Sequence, residues 1–544
     1  MKLIIQIALL IICAYSLMPM PQQFNKGSKT IKIINKCGLS FTNVHNHPQH
    51  IIELLRHYHS LITSQNQCNF QMSLNSNLKI QGALKFHISL QSDEKLYWVN
   101  NTQQEAYILK IDEYLNINID TNNHWGLARA LDTVNQLIDD DHIQYLPLLI
   151  QDEPAYTYRG VMVDTARHFL PLKTLERTID ALAINKMNVM HWHITDDESF
   201  PLLLTNYSRI TNTSKYSENE YYTKSDVSYL IEYASIRGVQ IIPEIDSPAH
   251  VQSWGRNISD LENIILNCGS TVKQYGQFDP TLDLTYEVVK SVLQDLADMF
   301  EKVQFVHFGG DEAIQSCYNQ RPSIKEFMNQ HGIADYIELQ TYYRQKQKSI
   351  WKNEIKSKKR IAYWYNKDDK LPADDDDIIH WWGSTEELSL VSNRSNDFIL
   401  SDYHPLYLDI GVGNAFGNPY QTYQTWKDIY KWSPQIPEGF KGKIIGGEAP
   451  LWGETNNQNT HFQRLFLRSS ILGDTLWNPF SKQQEQFYEF ADRLGQMEDR
   501  MNKYGFPVSP FTHDYCKRHT KICFPILYTE QEQSHEKQHQ YKEL

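Results

Sequence analysis

The chain has 544 residues, of which 22% are charged and 12% aromatic, and its net charge is −13. This length and composition belong to a folded protein with room for two domains and exclude a disordered one. The acidic balance, offset by no basic stretch, excludes a nucleic-acid partner.

Lys2 precedes an apolar run, Leu3 to Leu17, with the small residues Ala14 and Ser16 near its end. That is the pattern of a signal peptide over residues 1–18, too short to span a bilayer. A buried N-terminal helix or a membrane anchor is the competing reading. No later stretch approaches spanning length, so the expected destination is the secretory pathway, lysosomal or secreted, with no membrane span. Cys13 falls in the leader and leaves six cysteines: Cys37, Cys68, Cys268, Cys317, Cys516 and Cys523. Six permit fifteen pairings, and joining sequence neighbours is the simplest. Their spacing is not that of a zinc site. Glycosylation sequons occur at Asn100, Asn206, Asn212, Asn257 and Asn393.

Residues 19–153 read as a small non-catalytic α/β domain. Ile51 to Ile62 has helical spacing and Leu78 to Leu90 is strand-like. Tyr107, Leu109 and Ile111, then Leu115, Ile117 and Ile119, alternate with polar neighbours as strands do. Leu127, Leu131, Val134 and Ile138 form the stripe of a helix over Trp125 to Ile138, docking on a sheet.

From Pro154 the rhythm changes to short apolar runs alternating with longer helical stretches. The candidate strands are 161–164, 188–193, 240–244, 305–309, 361–364, 378–381, 398–400 and 444–447. Helical spacing falls between them, as at 172–185, 227–237, 286–300 and 336–356. Eight such units predict a (β/α)8 TIM barrel over 154–510, followed by a C-terminal tail over 511–544. A doubly wound open sheet is the alternative, but no Gly-rich phosphate loop follows the first strand. The end of the tail, from Thr529, is Gln/His-rich and reads as disordered.

A barrel demands that chemistry sit at the C-terminal strand ends. Asp164, Arg167 and His168 follow the first strand, and His191-Trp192-His193 with Asp196-Asp197 the second. Glu244, Asp246 and His250 follow the third, and Gly309-Gly310-Asp311-Glu312 the fourth. Trp364 and Trp382 end the next two; Tyr407 and Asp409 lie past the seventh, and Glu448, Trp452 and Glu454 past the eighth. Singly, a Trp near a strand end is core and an Asp-Glu pair is solvated surface; their convergence on one face is not explained that way. Indoles stack on pyranose faces, carboxylates and Arg take hydroxyls, and adjacent carboxylates drive their pKa values apart. That composition suits glycoside hydrolysis on a carbohydrate substrate. The competing reading draws His191, His193, His250, His307 and Asp311 as a binuclear metal centre. The histidines are equally explained as hydrogen-bonded support, and no metal or cofactor is expected.

Five blocks carry a resemblance: Arg159-Gly160-x3-Asp164-x2-Arg167-His168; His191-Trp192-His193-x2-Asp196-Asp197-x-Ser199-Phe200-Pro201; Pro243-Glu244-x-Asp246-x-Pro248-x-His250; His307-x-Gly309-Gly310-Asp311-Glu312; and Gly447-Glu448-Ala449-x-Leu451-Trp452-Gly453-Glu454. In order and content they resemble the β-N-acetylhexosaminidases of glycoside hydrolase family twenty, most closely the eukaryotic lysosomal and secreted members. The resemblance implies a retaining, exo-acting enzyme whose nucleophile is the substrate's own 2-acetamido oxygen, an exception to the two-carboxylate scheme. By motif position, Glu312 is the general acid and base, and Asp311 orients the acetamido group. Asp196 and His250 form a relay to the acid, and Tyr407 bonds the acetamido oxygen. Trp364, Trp382 and Trp452 wall the pocket, while Arg167, Asp409 and Glu454 bind outer hydroxyls. Asp409-Ile410 stands where some relatives carry an Asn-Arg pair linked to sulfated sugars, which implies a preference for neutral ones. Cys516 and Cys523 are closer together than the family's spacing for its last bridge. Members often dimerise, so a homodimer is an expectation. A lectin-like homologue without turnover is the alternative, but binding alone does not require a general acid.

Overall fold

The strands of the first part of the chain alternate with a period of two, and βα units follow from Tyr158. The structure, a computed structural model, describes residues 17–35, 37–42, 47–63, 68, 82–269, 275–411 and 422–526. In the N-terminal domain the strands run in the spatial order Gln23–Lys32, His142–Asp152, Tyr107–Ile111, Asn116–Thr121, Lys85–Leu90 and Ser40–Thr42. The short strand Ile138–Asp139 pairs beside them with His142–Asp152. Helices Gln49–Ile62 and His124–Leu137 supply Leu54, Leu55, Tyr58, Leu127, Leu131 and Val134 to the core. The predicted strand from Leu78 is seen from Lys85; residues 78–81 lie outside the described residues.

Two strands of this sheet escape the alternation rule. Gln23–Lys32 is a largely polar edge strand, and His142–Asp152 contains Pro147, which argues against an interior strand. A bulge admits the proline: pairing jumps from Lys26↔Leu148 to Lys29↔Leu146. Gly27 sits at that bulge, where a Cβ would lie 2.3 Å from the Leu146 carbonyl oxygen.

The barrel strands are Tyr158–Asp164, Val189–Thr195, Gln240–Ile245, Phe305–His307, Arg360–Tyr365, Ile378–Trp381, Asp397–Leu400 and Lys443–Leu451. Each pairs in parallel with its sequence neighbour, and the eighth closes on the first through Gly446↔Tyr158 to Leu451↔Val163. Closure rules out the open doubly wound sheet. Full helices follow the first four strands, at Leu172–Ala183, Lys224–Ile236, Asp283–Met299 and Tyr336–Ser349. The last of these ends in a wide turn over Ile350–Glu354 instead of running on to 356. Regular alternation then lapses: a 3₁₀ stretch, Thr385–Val391, joins the sixth and seventh strands, and only the short helices Tyr403–Leu406 and Trp426–Lys431 are described between the seventh and eighth.

The predicted tail divides. Phe511 and Phe524 pack edge-on against Trp426, 5.5 Å between ring centroids in each case, so residues to 526 belong to the folded body. The disordered stretch predicted from Thr529 lies outside the described residues. Three bridges form between sequence neighbours, Cys37–Cys68, Cys268–Cys317 and Cys516–Cys523, with Cα separations of 5.2, 5.3 and 5.4 Å.

A buried ion cluster joins the two domains. Glu105, fully buried, accepts from Arg129 at 2.8 Å and from Arg159, on the first barrel strand, at 2.6 Å. Its second oxygen takes the Asn188 amide at 3.0 Å. Removing one member of such a cluster leaves buried charge uncompensated. Glu105→Ala is therefore expected to cost about 3–5 kcal/mol in denaturant unfolding; an unchanged midpoint and slope would show that the seam does not depend on this carboxylate.

Candidate active site

Inward-facing residues fill the barrel in layers. Tyr158, Val189, Ile242, Phe305, Ala362, Ile378 and Ile399 close its lower end as an apolar plug. Two residues further along each strand, the same inward alternation places His191, Glu244, His307, Trp364 and His380, joined from the eighth strand by Glu448. This second layer is polar, buried and interlinked. Glu244 accepts Trp364 Nε1 at 2.7 Å and lies 2.8 Å from His193 Nδ1 and 3.0 Å from His191 Nε2. Glu448 lies 2.9 Å from His191 Nδ1 and accepts the Tyr158 hydroxyl. Glu448, predicted at the mouth, is thus inside: its strand runs to Leu451, four residues past the predicted end.

Above this layer stand the strand-end residues. His193 reaches Asp196 at 3.0 Å, and Asp196 pairs with Arg167 at 2.8 Å. Arg167 also meets Asp164 at 3.2 Å and Glu198 at 3.3 Å, and lies over the Trp452 ring at 5.1 Å. Asp164 accepts the amides of Ala166 and Gly453 and so ties the ends of the first and eighth strands together. Burial alone would neutralise His193, but Glu244 and Asp196 hold its pKa well above the usual imidazole value. Against burial, Arg167 and His250 hold Asp196 well below the usual carboxylate range.

The fourth strand stops at His307, two residues before its predicted end, because Gly309 and Gly310 take φ +62 and +95. Those left-handed steps, open to glycine at little cost, bring the backbone down onto Asp246. The Gly310 amide donates to Asp246 Oδ1 at 2.8 Å, and a Cβ on Gly309 would lie 1.7 Å from that same oxygen. Asp246 Oδ2 is 2.6 Å from His250 Nδ1, and His250 Nε2 is 3.4 Å from Glu312 Oε2. His250 and Glu312 are both non-glycine residues at positive φ, 59 and 53. Strain of this kind collects at functional sites.

The expected relay gains a member here. Asp196 stands 3.9 Å from His250, while Asp246, absent from the predicted site, makes the direct contact. Its signal was the i, i+4 spacing of Asp246 and His250 within one motif. Burial, then Asp246 and Glu312, push the Asp311 carboxyl well up, whereas the bond from His250 pulls Glu312 down. Asp311 Oδ1 is buried without a partner, while the Glu312 side chain is 63% exposed.

On the opposite wall, Trp452 lies 6.0 Å from Trp364 and 6.4 Å from Tyr407 between ring centroids. Trp382, half-buried after the sixth strand, makes no ring contact with them among the described residues. Asp409 accepts the Trp452 amide at 3.4 Å; burial and nearby Glu454 push its carboxyl up to about 7. The imagined binuclear metal set is divided. His191 and His307 belong to the layer beneath, His193 is held between Glu244 and Asp196, and His250 between Asp246 and Glu312.

A closed barrel with adjacent carboxylates, indole walls and an Arg-carboxylate cluster at its mouth defines a glycoside hydrolase. Residues 156–480 match the catalytic domain of glycosyl hydrolase family 20, and residues 17–137 match a "beta-acetyl hexosaminidase like" domain. The chain is 35% identical to mouse beta-hexosaminidase subunit beta over 433 residues, 77% of each chain. It is 29% identical to the chitooligosaccharidolytic beta-N-acetylglucosaminidase of Ostrinia furnacalis over 477 residues, 79% of this chain and 78% of that one. The solved chitobiase of Flavobacterium johnsoniae shares the fold with a TM-score of 0.75 at 22% identity, over 93% of this chain and 74% of that one. The chain belongs to glycosyl hydrolase family 20.

The Gly309 contact makes a sharp test. Gly309→Ala, strained at φ +62 and in collision with Asp246, is expected to lower turnover of a chromogenic glycoside about 10²-fold through a small displacement of the catalytic groups. Circular dichroism is expected to stay unchanged. Retained turnover would show that the backbone need not approach Asp246 so closely.

Proposed function

We propose that this chain is an exo-acting β-N-acetylhexosaminidase that removes terminal N-acetylglucosamine or N-acetylgalactosamine with retention, using the substrate's acetamido oxygen as nucleophile. The observation that carries the reading is the Asp311-Glu312 pair. One carboxylate has a buried oxygen awaiting a donor, and the other is exposed beside His250. Glu312 gives its proton to the glycosidic oxygen as the C–O bond breaks, and the acetamido oxygen closes on the anomeric carbon. Asp311 accepts the acetamido N–H and stabilises the oxazolinium cation. Water then opens the ring, losing its proton to Glu312. Tyr407 holds the acetamido oxygen; Trp364, Trp382 and Trp452 wall the sugar; Arg167, Asp409 and Glu454 take the outer hydroxyls and close the pocket behind it.

Glycoconjugates and chito-oligosaccharides are the proposed substrates, in keeping with the activities that the relatives' names carry. The secretory pathway, ending in the lysosome or outside the cell, is the proposed location. The five sequon asparagines are exposed, and no described helix is long and apolar enough to cross a membrane.

Release of p-nitrophenol from its β-N-acetylglucosaminide at mildly acidic pH tests this reading. Turnover is expected to survive a chelator and to fall at least about 10²-fold in Glu312→Gln. Sugar binding without turnover would overturn it in favour of a lectin-like protein, and loss to the chelator in favour of a metal enzyme. The plain substrate is expected to outpace its 6-sulfated form; equal rates would remove the preference for neutral sugars.

Asp246 is proposed as a positioning residue, and its test lies in pH. Its charge raises the proton affinity of both His250 and Asp311. In Asp246→Asn both affinities fall, so the free enzyme's shared proton is lost at lower pH and the alkaline limb of kcat/KM moves down. A fall in kcat with an unmoved limb would leave Asp246 a purely structural part.

A further inference from the structure

The predicted leader boundary at residue 18 conflicts with what residues 17–22 do. Leu17 is 2% exposed and Met18 fully buried. Gln136, on helix His124–Leu137, takes Met18 by both backbone groups: its Oε1 accepts the Met18 amide at 2.9 Å and its Nε2 donates to the Met18 carbonyl at 3.0 Å. Arg493 donates to the Leu17 carbonyl at 3.0 Å, and the Met20 amide donates to Asp474 at 2.8 Å. Gln22 continues the strap, its amide on Asp152 and its side chain on the Trp477 carbonyl, both at 3.0 Å. Gln136 and Asp152 belong to the N-terminal domain, whereas Asp474, Trp477 and Arg493 belong to helices after the eighth barrel strand. The segment is therefore a clasp across the domain seam.

A cut after Met18 would strip both Met18 contacts from Gln136, leaving its Nε2 on Asp132 and its Oε1 unmet, and take one contact from Arg493, in a buried site where unmet polar groups are costly. It would also place Met at −1. Two residues upstream, Ala14-Tyr15-Ser16 offers small residues at −3 and −1. We infer that a leader-removing endoprotease hydrolyses the Ser16–Leu17 bond and that the new N-terminal segment, Leu17 to Gln22, locks the two domains together. Water adds across the peptide bond, leaving the Ser16 carboxylate on the released leader and an α-ammonium on Leu17. Leu17 lines a cavity of about 410 Å³ open to solvent, whose walls carry Asp139, Asp140 and Asp499 beside Arg500 and Lys503. An ammonium formed there would share this cavity with three carboxylates instead of being enclosed among apolar groups alone.

This inference rests on the secretory route proposed above, and the experiment separates the two. The full chain is expressed in a eukaryotic secretion host, recovered from the medium, deglycosylated, and read by N-terminal sequencing and intact mass. Leu17 as the first residue is the expected result. A start at Pro19 or beyond would overturn the cleavage site alone; a chain retaining residues 1–16 would overturn the secretory route with it. The clasp is read separately by thermal unfolding of Gln136→Met, with the N-terminus verified. A midpoint lower by about 3 °C or more is expected, and an unchanged one would overturn the lock. Deleting residues 17–21 is expected to give a larger drop.

Discussion

The carboxylate of Asp246 is the contact on which the rest of the site depends. One oxygen is spent on the Gly310 amide and the other on His250, so the ends of the third and fourth barrel strands are joined through a single side chain. The join works only because residue 309 has no Cβ. It fixes Asp311 and Glu312 relative to His250 before any ligand arrives. A positioned acid is worth several orders of magnitude in rate only when its geometry is held. Gly309 and Gly310 belong to that geometry as much as the carboxylates they precede.

Beneath, the polar layer replaces what an ordinary barrel fills with branched aliphatic side chains. Part of its cost in desolvation is met within the layer, where Glu244 serves an indole and contacts two imidazoles and Glu448 serves an imidazole and a phenol, while His307 Nε2 and His380 Nδ1 stay without a hydrogen bond among the described residues. One consequence is mechanical. Trp364, proposed to wall the sugar pocket, hangs from Glu244; Glu244 contacts His193, His193 contacts Asp196, and Asp196 holds Arg167. The two ends of the proposed sugar site are therefore set by one hydrogen-bonded chain, and neither can shift without straining the other.

The barrel was legible because its strands are short apolar runs separated by helical stretches, and because unusual residues gather where each run ends. The strands at Gln23–Lys32 and His142–Asp152 were not legible: one is a polar edge, and the other contains a proline that only its partner's bulge makes acceptable. Asp311 and Glu312 stand out in sequence as neighbours on one strand end, and Asp196 and His250 through their motifs. The direct bond from His250 to Asp246 does not, since both carboxylates sit in plausible positions and only three-dimensional geometry separates 2.6 Å from 3.9 Å. Nor could alternation announce that Glu448 lies inside, because the eighth strand continues through Glu448-Ala449-Pro450, where a proline and a carboxylate hide its period.

The proton between Asp311 and Glu312 is arranged, in the ligand-free site, against the roles proposed for them. Burial and Asp246 favour a protonated Asp311, while His250 favours an ionised Glu312. The pair titrates as a unit, so what matters is what substrate does to it. An acetamido N–H presented to Asp311, and then a cation on the oxazoline ring, both favour its ionised form. Once Asp311 is anionic, its charge raises the proton affinity of Glu312 next door, just where the glycosidic oxygen has excluded water. On the proposed roles, substrate would thereby transfer the acidic role from the buried carboxyl to the exposed one. That exchange gives adjacency a physical reason: two carboxylates on consecutive residues can hand over one proton, whereas two on opposite faces of the sugar cannot.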